Sequence, residues 1–314
     1  MISFFIFRFR SKQESSSKRM KFRSFQISLN VLFVILLISL ASYLNFFRLR
    51  YSEGKGTHFI NYKELMVHYL GSKYYDELGY FGLHEAMVLA DSETMNILQD
   101  DQKIRELKSL DLITKQEVLL GNKRILSGFS IPRWIEFKHD LVYLIQLCGG
   151  KSILISSLTD YGYNTTPVWS TSAAFLTNFV TVNKIFFLTL IDIVLLLVIF
   201  YAIWKSFGLE IMLVSLIFFL VNFFSTFDWF GGAFLRYDWF VALVLALCMI
   251  NSKRYYCAGA CVAYATMIRI FPVLFLTGPF LKAISEFLSR KITSDKYKKL
   301  FASFIISCLV LFCY

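Results

Sequence analysis

The amino-acid sequence predicts an all-α polytopic membrane protein, a transmembrane helix bundle with a mainly helical outer-face region after the first span. Of 314 residues, 56% are hydrophobic, with 34 phenylalanines and only 4 prolines, a composition typical of membrane proteins. The apolar residues form runs of roughly 18 to 20 residues, the length at which a helix crosses a bilayer core. The net charge is +11, and the basic residues cluster before the first run and in some of the short segments between later runs.

Residues 1–26 form a basic tail that we predict to be cytoplasmic. Lysine and arginine concentrate in cytoplasmic loops, so topology explains the tail and nucleic acid is not expected as a partner. Residues 27–47 follow as the first transmembrane helix, because this run is too long for a signal-peptide core and has no small-residue cleavage site. The tail has one acid, Glu14, against seven basic residues: Arg8, Arg10, Lys12, Lys18, Arg19, Lys21 and Arg23.

Residues 48–184 are predicted to form a helical region on the outer, periplasmic face. Acidic and basic residues nearly balance over most of this region, and it is too long to serve only as a connection between spans. Its residue pattern predicts helices at 61–71, 82–89, 91–110 and 135–147. Residues 164–167, Asn-Thr-Thr-Pro, indicate a turn before a further helix.

Residues 185–314 are predicted to form the transmembrane bundle, with segments at 185–204, 209–226, 232–250 and 300–314 and a hairpin at 256–287. A single span in place of the hairpin would put the basic loop at 282–299 outside, against the positive-inside bias. A turn near Phe271 and Pro272 removes this conflict, because proline disfavours a helical residue before it. The predicted result is a multi-pass inner-membrane protein with a cytoplasmic N-terminus. The final apolar segment runs to Tyr314, and we therefore expect a longer parent protein.

Common motifs of soluble enzymes are missing from the sequence. It contains no Walker A loop, no G-x-G-x-x-G, no H-E-x-x-H and no G-x-S-x-G, so the reactions that depend on those motifs are not indicated. Cys257 and Cys261 are four residues apart but have no further cysteine or histidine nearby, which is not a metal-ligand pattern. The sequence therefore predicts no metal site.

The segment YKELMVHYLGSKYYDELGY, residues 62–80, follows the first span and carries the first candidate chemistry. On a helix, Glu64 and His68 share a face because they are four residues apart. Glu64 at the outer membrane boundary could serve as a general base toward a hydroxyl group, or the pair could be part of a solvated helix face. Asp76 and Glu77 are adjacent and would point in different directions. The five tyrosines fit an interfacial aromatic belt and would also suit stacking on sugar rings: Tyr62, Tyr69, Tyr74, Tyr75 and Tyr80.

Charged residues in or beside the predicted spans form the second candidate group. Asp192, near the middle of the second span, must pair internally or line a wet cavity. Arg236 and Arg269 are both predicted on the outer side, where two guanidinium groups suit a bidentate grip on phosphate. Alternatively, Arg236 pairs with Asp228 or Asp238.

Residues 230–291 resemble a recurring block of the C-type membrane glycosyltransferase superfamily (GT-C). The block contains an outer turn, a helix leading to a short basic turn, a helix rich in small residues, and then a basic residue followed closely by proline. Here Ala258-Gly259, Arg269 and Pro272 fill these places, and Arg290-Lys291 form the basic end.

The resemblance implies an enzyme that transfers a sugar from a polyprenyl-phosphate carrier to an acceptor at the outer membrane face. It implies an acidic catalytic residue in the first outer loop, which we assign to Glu64, helped by Asp76 or Glu77. This sequence departs from the usual acidic pair or D-x-D element. Some members use a divalent metal, so the resemblance allows one as cofactor although no ligand spacing here requires it. The implied partners are the bilayer and the lipid-linked donor, and the substrate-binding candidates are His68, Tyr69, Arg236, Asp238 and Arg269.

Two alternatives are compatible with the sequence. The first is a transporter or channel subunit in which Asp192 and Arg269 line a polar path, although transporters usually show paired halves with interrupted helices at matching positions. The second is a membrane-anchored binding protein without catalysis. The sequence leaves the donor sugar, the acceptor and the oligomeric state open.

Overall fold

A computed structural model describes residues 29–52, 56–121, 123–222, 226–289 and 295–313, and most of these residues are helical. The predicted basic tail, 1–26, lies outside the described residues. The first helix, α1, is described from Leu29 to Tyr43, and its C-terminal end comes four residues before the predicted end of the span at 47. It ends where Asn45, Phe46 and Phe47 adopt positive φ angles and turn the chain. A small antiparallel hairpin follows, formed by β1 (Arg50–Ser52) and β2 (Gly56–His58).

Residues 61–180, called here the helical region, supply most of one apolar core, to which Ile185, Leu188, Phe234, Leu235 and Ile268 also contribute. Fully buried side chains include Leu65, Met66, Met87 and Phe137. The elements are α2 (Tyr62–Lys73), α3 (Tyr75–Leu78), α4 (Leu83–Glu93), β3 (Lys103–Arg105), β4 (Leu112–Thr114), α5 (Lys115–Leu120), α6 (Lys123–Ser127), α7 (Ile131–Cys148), α8 (Lys151–Leu158) and α9 (Pro167–Phe179).

Three of the four helices predicted here are present, and the fourth, 91–110, is wrong. Helix α4 ends at Glu93 because the carboxylate of Asp91 accepts hydrogen bonds from the backbone N–H groups of Ile97 and Leu98 (3.1 and 3.2 Å). Such local side-chain bonds to the backbone compete with helix formation. The chain then forms the antiparallel β3–β4 hairpin. The predicted turn at 164–167 is present, and Thr166 caps α9.

The predicted interfacial belt of tyrosines is wrong for Tyr69 and Tyr74, which are both fully buried in the core. The Tyr69 hydroxyl donates to the Val180 carbonyl oxygen (3.0 Å), and the Tyr74 hydroxyl donates to Asp140 (2.9 Å). Burying a tyrosine hydroxyl is favourable only when it finds such a partner. Both partners lie far along the chain, so the local sequence did not reveal the burial.

The apolar part of the chain after residue 185 consists of helices that pack on one another. Helix α1 packs against α12, α12 against α11, α11 against α14, α14 against α15, and α15 against α17. Two 3₁₀ turns, Val182–Lys184 and Phe271–Leu276, are interspersed. The helices are α10 (Phe186–Thr189), α11 (Ile191–Phe207), α12 (Leu209–Val221), α13 (Phe227–Phe230), α14 (Asp238–Asn251), α15 (Tyr255–Ile268), α16 (Thr277–Leu288) and α17 (Asp295–Phe312).

Two helices among the described residues are long and apolar enough to cross a membrane, Phe186–Phe207 and Phe271–Leu288. A bent pair, α7 and α8, would add a third if it formed one span, but buried residues of both helices belong to the core of the helical region. Helices α12, α14 and α15 are apolar but shorter than a full span. The predicted segment 232–250 becomes helical only at Asp238, because residues 231–237 form a turn in which Gly232 and Leu235 have positive φ.

The ends of the apolar helices are fixed by specific contacts. At one end, the rings of Tyr43 and Tyr237 both pack on Phe219, with centroids 5.9 and 5.5 Å away. At the opposite end, the Asn251 side chain donates to the Ser206 carbonyl oxygen (2.7 Å). Helix α15 runs back from the Asn251 end and stops at Ile268, so Arg269 lies at the first end, the one marked by Tyr43 and Tyr237, close to the predicted turn.

Candidate functional site

A cleft of about 310 Å³ lies where the helical region meets the first end of the apolar helices. Its walls come from the start of α2, the connection between α8 and α9, the turn before α14, and the residue after α15. The lining residues are Lys63, Glu64, Val67, His68, Asp160, Tyr161, Gly162, Asn164, Arg236 and Arg269.

Glu64 is placed by the docking of the α2 N-terminus on the turn before α14. Asn61 caps α2, its side chain accepting from the Glu64 N–H (3.5 Å). The Asn61 N–H in turn donates to the Gly232 carbonyl oxygen (2.9 Å). Gly232 has a φ of +68°, and a Cβ at this position would collide with the Phe59 carbonyl oxygen. Glycine is therefore required for this approach.

His68 lies one turn after Glu64 and contacts it through both backbone and side chain. Its Nδ1 is 2.8 Å from the Glu64 carbonyl oxygen and 3.4 Å from Glu64 Oε2. The ring packs edge-on against Trp169, with centroids 5.3 Å apart. Burial lowers the pKa of His68, although Glu64 acts in the opposite direction. In the neutral ring, the bond to a carbonyl oxygen requires the proton on Nδ1 and leaves Nε2 as an acceptor.

Arg236 brings a guanidinium group to the same carboxylate. Its two terminal nitrogens lie 3.4 and 3.5 Å from the Glu64 oxygens, longer than the 2.7–2.9 Å typical of tight charge-assisted bonds. The sequence offered Asp228 and Asp238 as partners for Arg236, whereas the structure joins it to Glu64, a carboxylate from another element.

Asp192 holds the backbone of Arg236 in place. This buried residue lies in the first turn of α11 rather than in the middle of a span. Its carboxylate accepts from the Arg236 N–H (3.0 and 3.1 Å) and from the Tyr237 N–H (3.3 Å). Of the two roles predicted for Asp192, the structure shows the internal pairing.

Arg269 completes the basic side of the cleft. It follows the last residue of α15 in an extended conformation, and its side chain is exposed. Within the described ranges, its guanidinium has no ion-pair or hydrogen-bond partner. A second, smaller cavity of about 30 Å³ continues from here and is lined by both arginines, His68 and Asp238. Asp238 itself accepts from the Trp239 N–H (2.7 Å) and the Tyr264 hydroxyl (3.3 Å).

Three of the predicted site residues lie elsewhere. Tyr69 is buried in the core of the helical region. Glu77 forms an ion pair with Arg133 (2.5 Å), and Asp76 is exposed on α3, beyond the C-terminal end of α2. The structure therefore does not bring Asp76 or Glu77 to Glu64, which lies in the first turn of α2.

The outer wall of the cleft was missed by the sequence reading. Lys63 Nζ and Asp160 Oδ2 form an ion pair (2.7 Å), and Tyr161 and Asn164 lie beside it. The only local signal was the polar, glycine-containing run Asp-Tyr-Gly-Tyr-Asn just before the predicted turn. In formal charge, three cations (Lys63, Arg236 and Arg269) face two carboxylates, so the cleft is basic by one unit.

The cleft is a poor match for a resident divalent metal. No group of three histidine, cysteine or acidic side chains among the described residues is placed to hold one. Glu64 and His68 are neighbouring donors, but the Arg236 guanidinium contacts the same carboxylate and would repel a cation. The donor set does not fit the metal that some GT-C members use.

Comparisons with protein-family models, curated proteins and solved structures found no match for this chain. The likeness to GT-C enzymes therefore rests on the residues quoted above.

Proposed function

We propose that the protein is a multi-pass membrane glycosyltransferase of the GT-C type that moves a sugar from a polyprenyl-phosphate carrier to an acceptor at the outer membrane face. The observation that carries the proposal is the convergence of Glu64, His68, Arg236 and Arg269 on one cleft. These residues come from three separated parts of the chain, and each is a residue type that this reaction needs.

The placement of charge supports a membrane orientation with the cleft on the outer side. Lys205, in the last turn of α11, and Lys253 and Arg254, in the connection between α14 and α15, lie at the end of the apolar helices opposite the cleft. Basic turns mark the cytoplasmic side. In the proposed topology the helices Phe186–Phe207 and Phe271–Leu288 and the shorter apolar helices packed around them cross the bilayer, and the N-terminus is cytoplasmic.

The basic side of the cleft supplies a site for the carrier phosphate. Arg236 contacts Glu64 at 3.4 and 3.5 Å and lines the cleft beside it. Arg269 has an exposed side chain beside it. Two guanidinium groups offer planar, multidentate donors to phosphate oxygens. Both would stabilise the negative charge that develops on the phosphate when the sugar leaves.

Glu64 is the proposed general base. It accepts the proton of the acceptor hydroxyl while that oxygen forms a bond to the anomeric carbon. The bond between the anomeric carbon and the phosphate oxygen breaks, and its electron pair stays on the phosphate. His68, through its contacts with Glu64, is a positioning residue. General bases of this kind contribute about 10²–10⁴-fold to the rate.

The test is sugar transfer by the full chain in lipid nanodiscs, with a panel of polyprenyl-phosphate monosaccharides as donors and membrane lipid extracts as acceptors. We expect Glu64→Gln to lower transfer at least about 100-fold while undecaprenyl-phosphate binding, read by native mass spectrometry, persists. The matched control is Asp76→Asn, an exposed acid of the same segment, which should transfer like the wild type. Wild-type transfer by Glu64→Gln would refute the assignment.

The transporter alternative finds less support. It requires Asp192 to line a polar path, yet that carboxylate is buried and bonded to the backbone of Arg236 and Tyr237. A binding protein without catalysis would bind the carrier phosphate but transfer nothing, and the same experiment distinguishes it.

A further inference from the structure

We propose that the outer wall of the cleft is a pyranose-binding subsite, in which Tyr161 stacks on a sugar ring and Asp160 and Asn164 bind its hydroxyl groups. The statement that this subsite binds the acceptor rests on the proposed function. As a carbohydrate site it is carried by the geometry of the loop 159–164 alone.

The Tyr161 ring is a fixed but accessible aromatic platform. Its side chain is 59% exposed, although it lines the cleft. The Arg105 guanidinium lies over the ring, 4.7 Å from its centroid. Arg105 is itself held by hydrogen bonds to the carbonyl oxygens of Thr159 (3.0 Å) and Leu110 (2.7 Å). Because Arg105 covers one face and the ring is still largely exposed, the other face is available for stacking.

Polar groups of the right kind surround this platform. Asp160 uses one carboxylate oxygen for Lys63 (2.7 Å) and the other for the Tyr161 N–H (2.9 Å). Partial burial acts to raise the pKa of Asp160, but the bonds from Lys63 and the Tyr161 N–H hold it below the ordinary value. The carboxylate is thus an ionised acceptor with lone pairs remaining for hydroxyl groups. The Asn164 amide adds a donor and an acceptor.

The loop is held in one conformation by the residues beneath it. Gly162 has a φ of +66°, and a Cβ there would lie 2.6 Å from Leu107 and 3.0 Å from His84 Nε2. The following residue, Tyr163, is buried and fills the space that a side chain at Gly71 would need. A loop ordered before the ligand arrives loses less entropy on binding.

The charge distribution assigns a sugar, rather than an anion, to this wall. Lys63 is paired with Asp160 at short range (2.7 Å), whereas Arg269 lines the opposite part of the cleft and is exposed. An anion therefore gains more on the arginine side. The outer wall combines an aromatic face with a paired carboxylate and an amide, which matches a neutral polyhydroxylated ring.

Saturation-transfer difference NMR of the full chain in nanodiscs tests the subsite. The probes are methyl α-D-glucopyranoside, methyl α-D-mannopyranoside and methyl β-D-galactopyranoside, with glycerol as a polyol that has no ring. We expect ring protons of at least one glycoside to receive saturation and glycerol to receive none. Tyr161→Ala should reduce the signal at least tenfold, and Tyr161→Trp should retain it. Tyr256→Ala is the matched control, since Tyr256 is 58% exposed on α15, and it should behave like the wild type.

Absence of saturation transfer to every glycoside, or an unchanged signal in Tyr161→Ala, would overturn the inference. So would equal transfer to glycerol. The failure of the proposed function is a separate result. If the glycosides bind through Tyr161 but no donor is ever consumed, the subsite stands as a carbohydrate site and the enzymatic proposal falls. If sugar is transferred and the signal does not depend on Tyr161, the reverse holds.

Discussion

Replacing Asp192 should disable the cleft without removing any residue that lines it. Its carboxylate accepts three hydrogen bonds from the backbone N–H groups of Arg236 and Tyr237, at 3.0, 3.1 and 3.3 Å. Asp192→Ala leaves both donors buried without this partner. Each unsatisfied buried group costs about 1–3 kcal/mol, so the free energy of unfolding should fall by about 2–6 kcal/mol.

Asp192→Asn should be milder because the amide keeps one acceptor oxygen. Both N–H groups already lie within 3.3 Å of Oδ1, so one oxygen can serve both of them. The amide NH2 takes the place of Oδ2 and cannot accept the bond from the Arg236 N–H, so the cost should be at least about 1 kcal/mol but below that of Asp192→Ala. The two variants therefore form a graded series in which stability and the position of Arg236 change together.

The assay is reversible unfolding of the purified chain in mixed micelles, followed by circular dichroism as SDS is added. Undecaprenyl-phosphate binding to the same samples reports on Arg236. Glu210→Ala is the control, because Glu210 is an exposed acid in the first turn of another apolar helix, α12. If Asp192→Ala matches the Glu210→Ala control in both stability and lipid-phosphate binding, Asp192 does not position the turn before α14.

Three further changes test how the fold supports the cleft. Lys73→Met should lower the free energy of unfolding by about 3–5 kcal/mol, because the buried Lys73 pairs with Asp140 (2.6 Å) and Glu136 (2.7 Å). The control is Lys138→Met, which removes the more exposed Lys138–Glu93 pair and should cost under about 1 kcal/mol. Equal costs for the two variants in chemical denaturation would contradict this. Gly232→Ala should weaken lipid-phosphate binding, because the added Cβ would collide with the Phe59 carbonyl oxygen. The control is Gly79→Ala, since Gly79 also has a positive φ but has open space around it. This control should cost about 1 kcal/mol of stability and leave binding unchanged. Burial lowers the pKa of His84, so His84 takes up a proton at a higher pH in the unfolded chain than in the folded one. The free energy of unfolding should therefore fall as the pH drops below about 6.5. In His84→Gln this dependence on pH should become weaker, and an unchanged slope between pH 7 and 5 would exclude His84 as its source.

The parts of the site that the sequence could predict depend on local spacing and on topology. Glu64 and His68 share a face because they are four residues apart on a helix that Asn61 caps. Arg236 and Arg269 were placed on one side by counting spans and by the basic turns between them, and in the structure both line one cleft. The contact between Glu64 and Arg236 was not predictable, because the local sequence around neither residue indicates its partner.

The features that sequence reasoning missed depend on long-range packing. Tyr69 and Tyr74 looked like interfacial residues because their partners, Val180 and Asp140, lie far along the chain. The helix predicted through residues 91–110 ended early because the Asp91 carboxylate bonds to backbone groups several residues ahead. Asp160 was not singled out in the sequence, because only the fold brings it to Lys63.

A single-turnover measurement with donor bound in advance tests directly whether Glu64 and the two arginines carry out sugar transfer. Full-length chain in nanodiscs is loaded with a radiolabelled polyprenyl-phosphate sugar from the panel, the excess is removed, and the acceptor extract is added. We expect Glu64→Gln to hold the donor but to release its sugar at least about 100-fold more slowly than the wild type, and we expect Arg236→Gln combined with Arg269→Gln not to hold the donor. Wild-type release by Glu64→Gln, or full donor retention by the double arginine variant, would contradict this expectation.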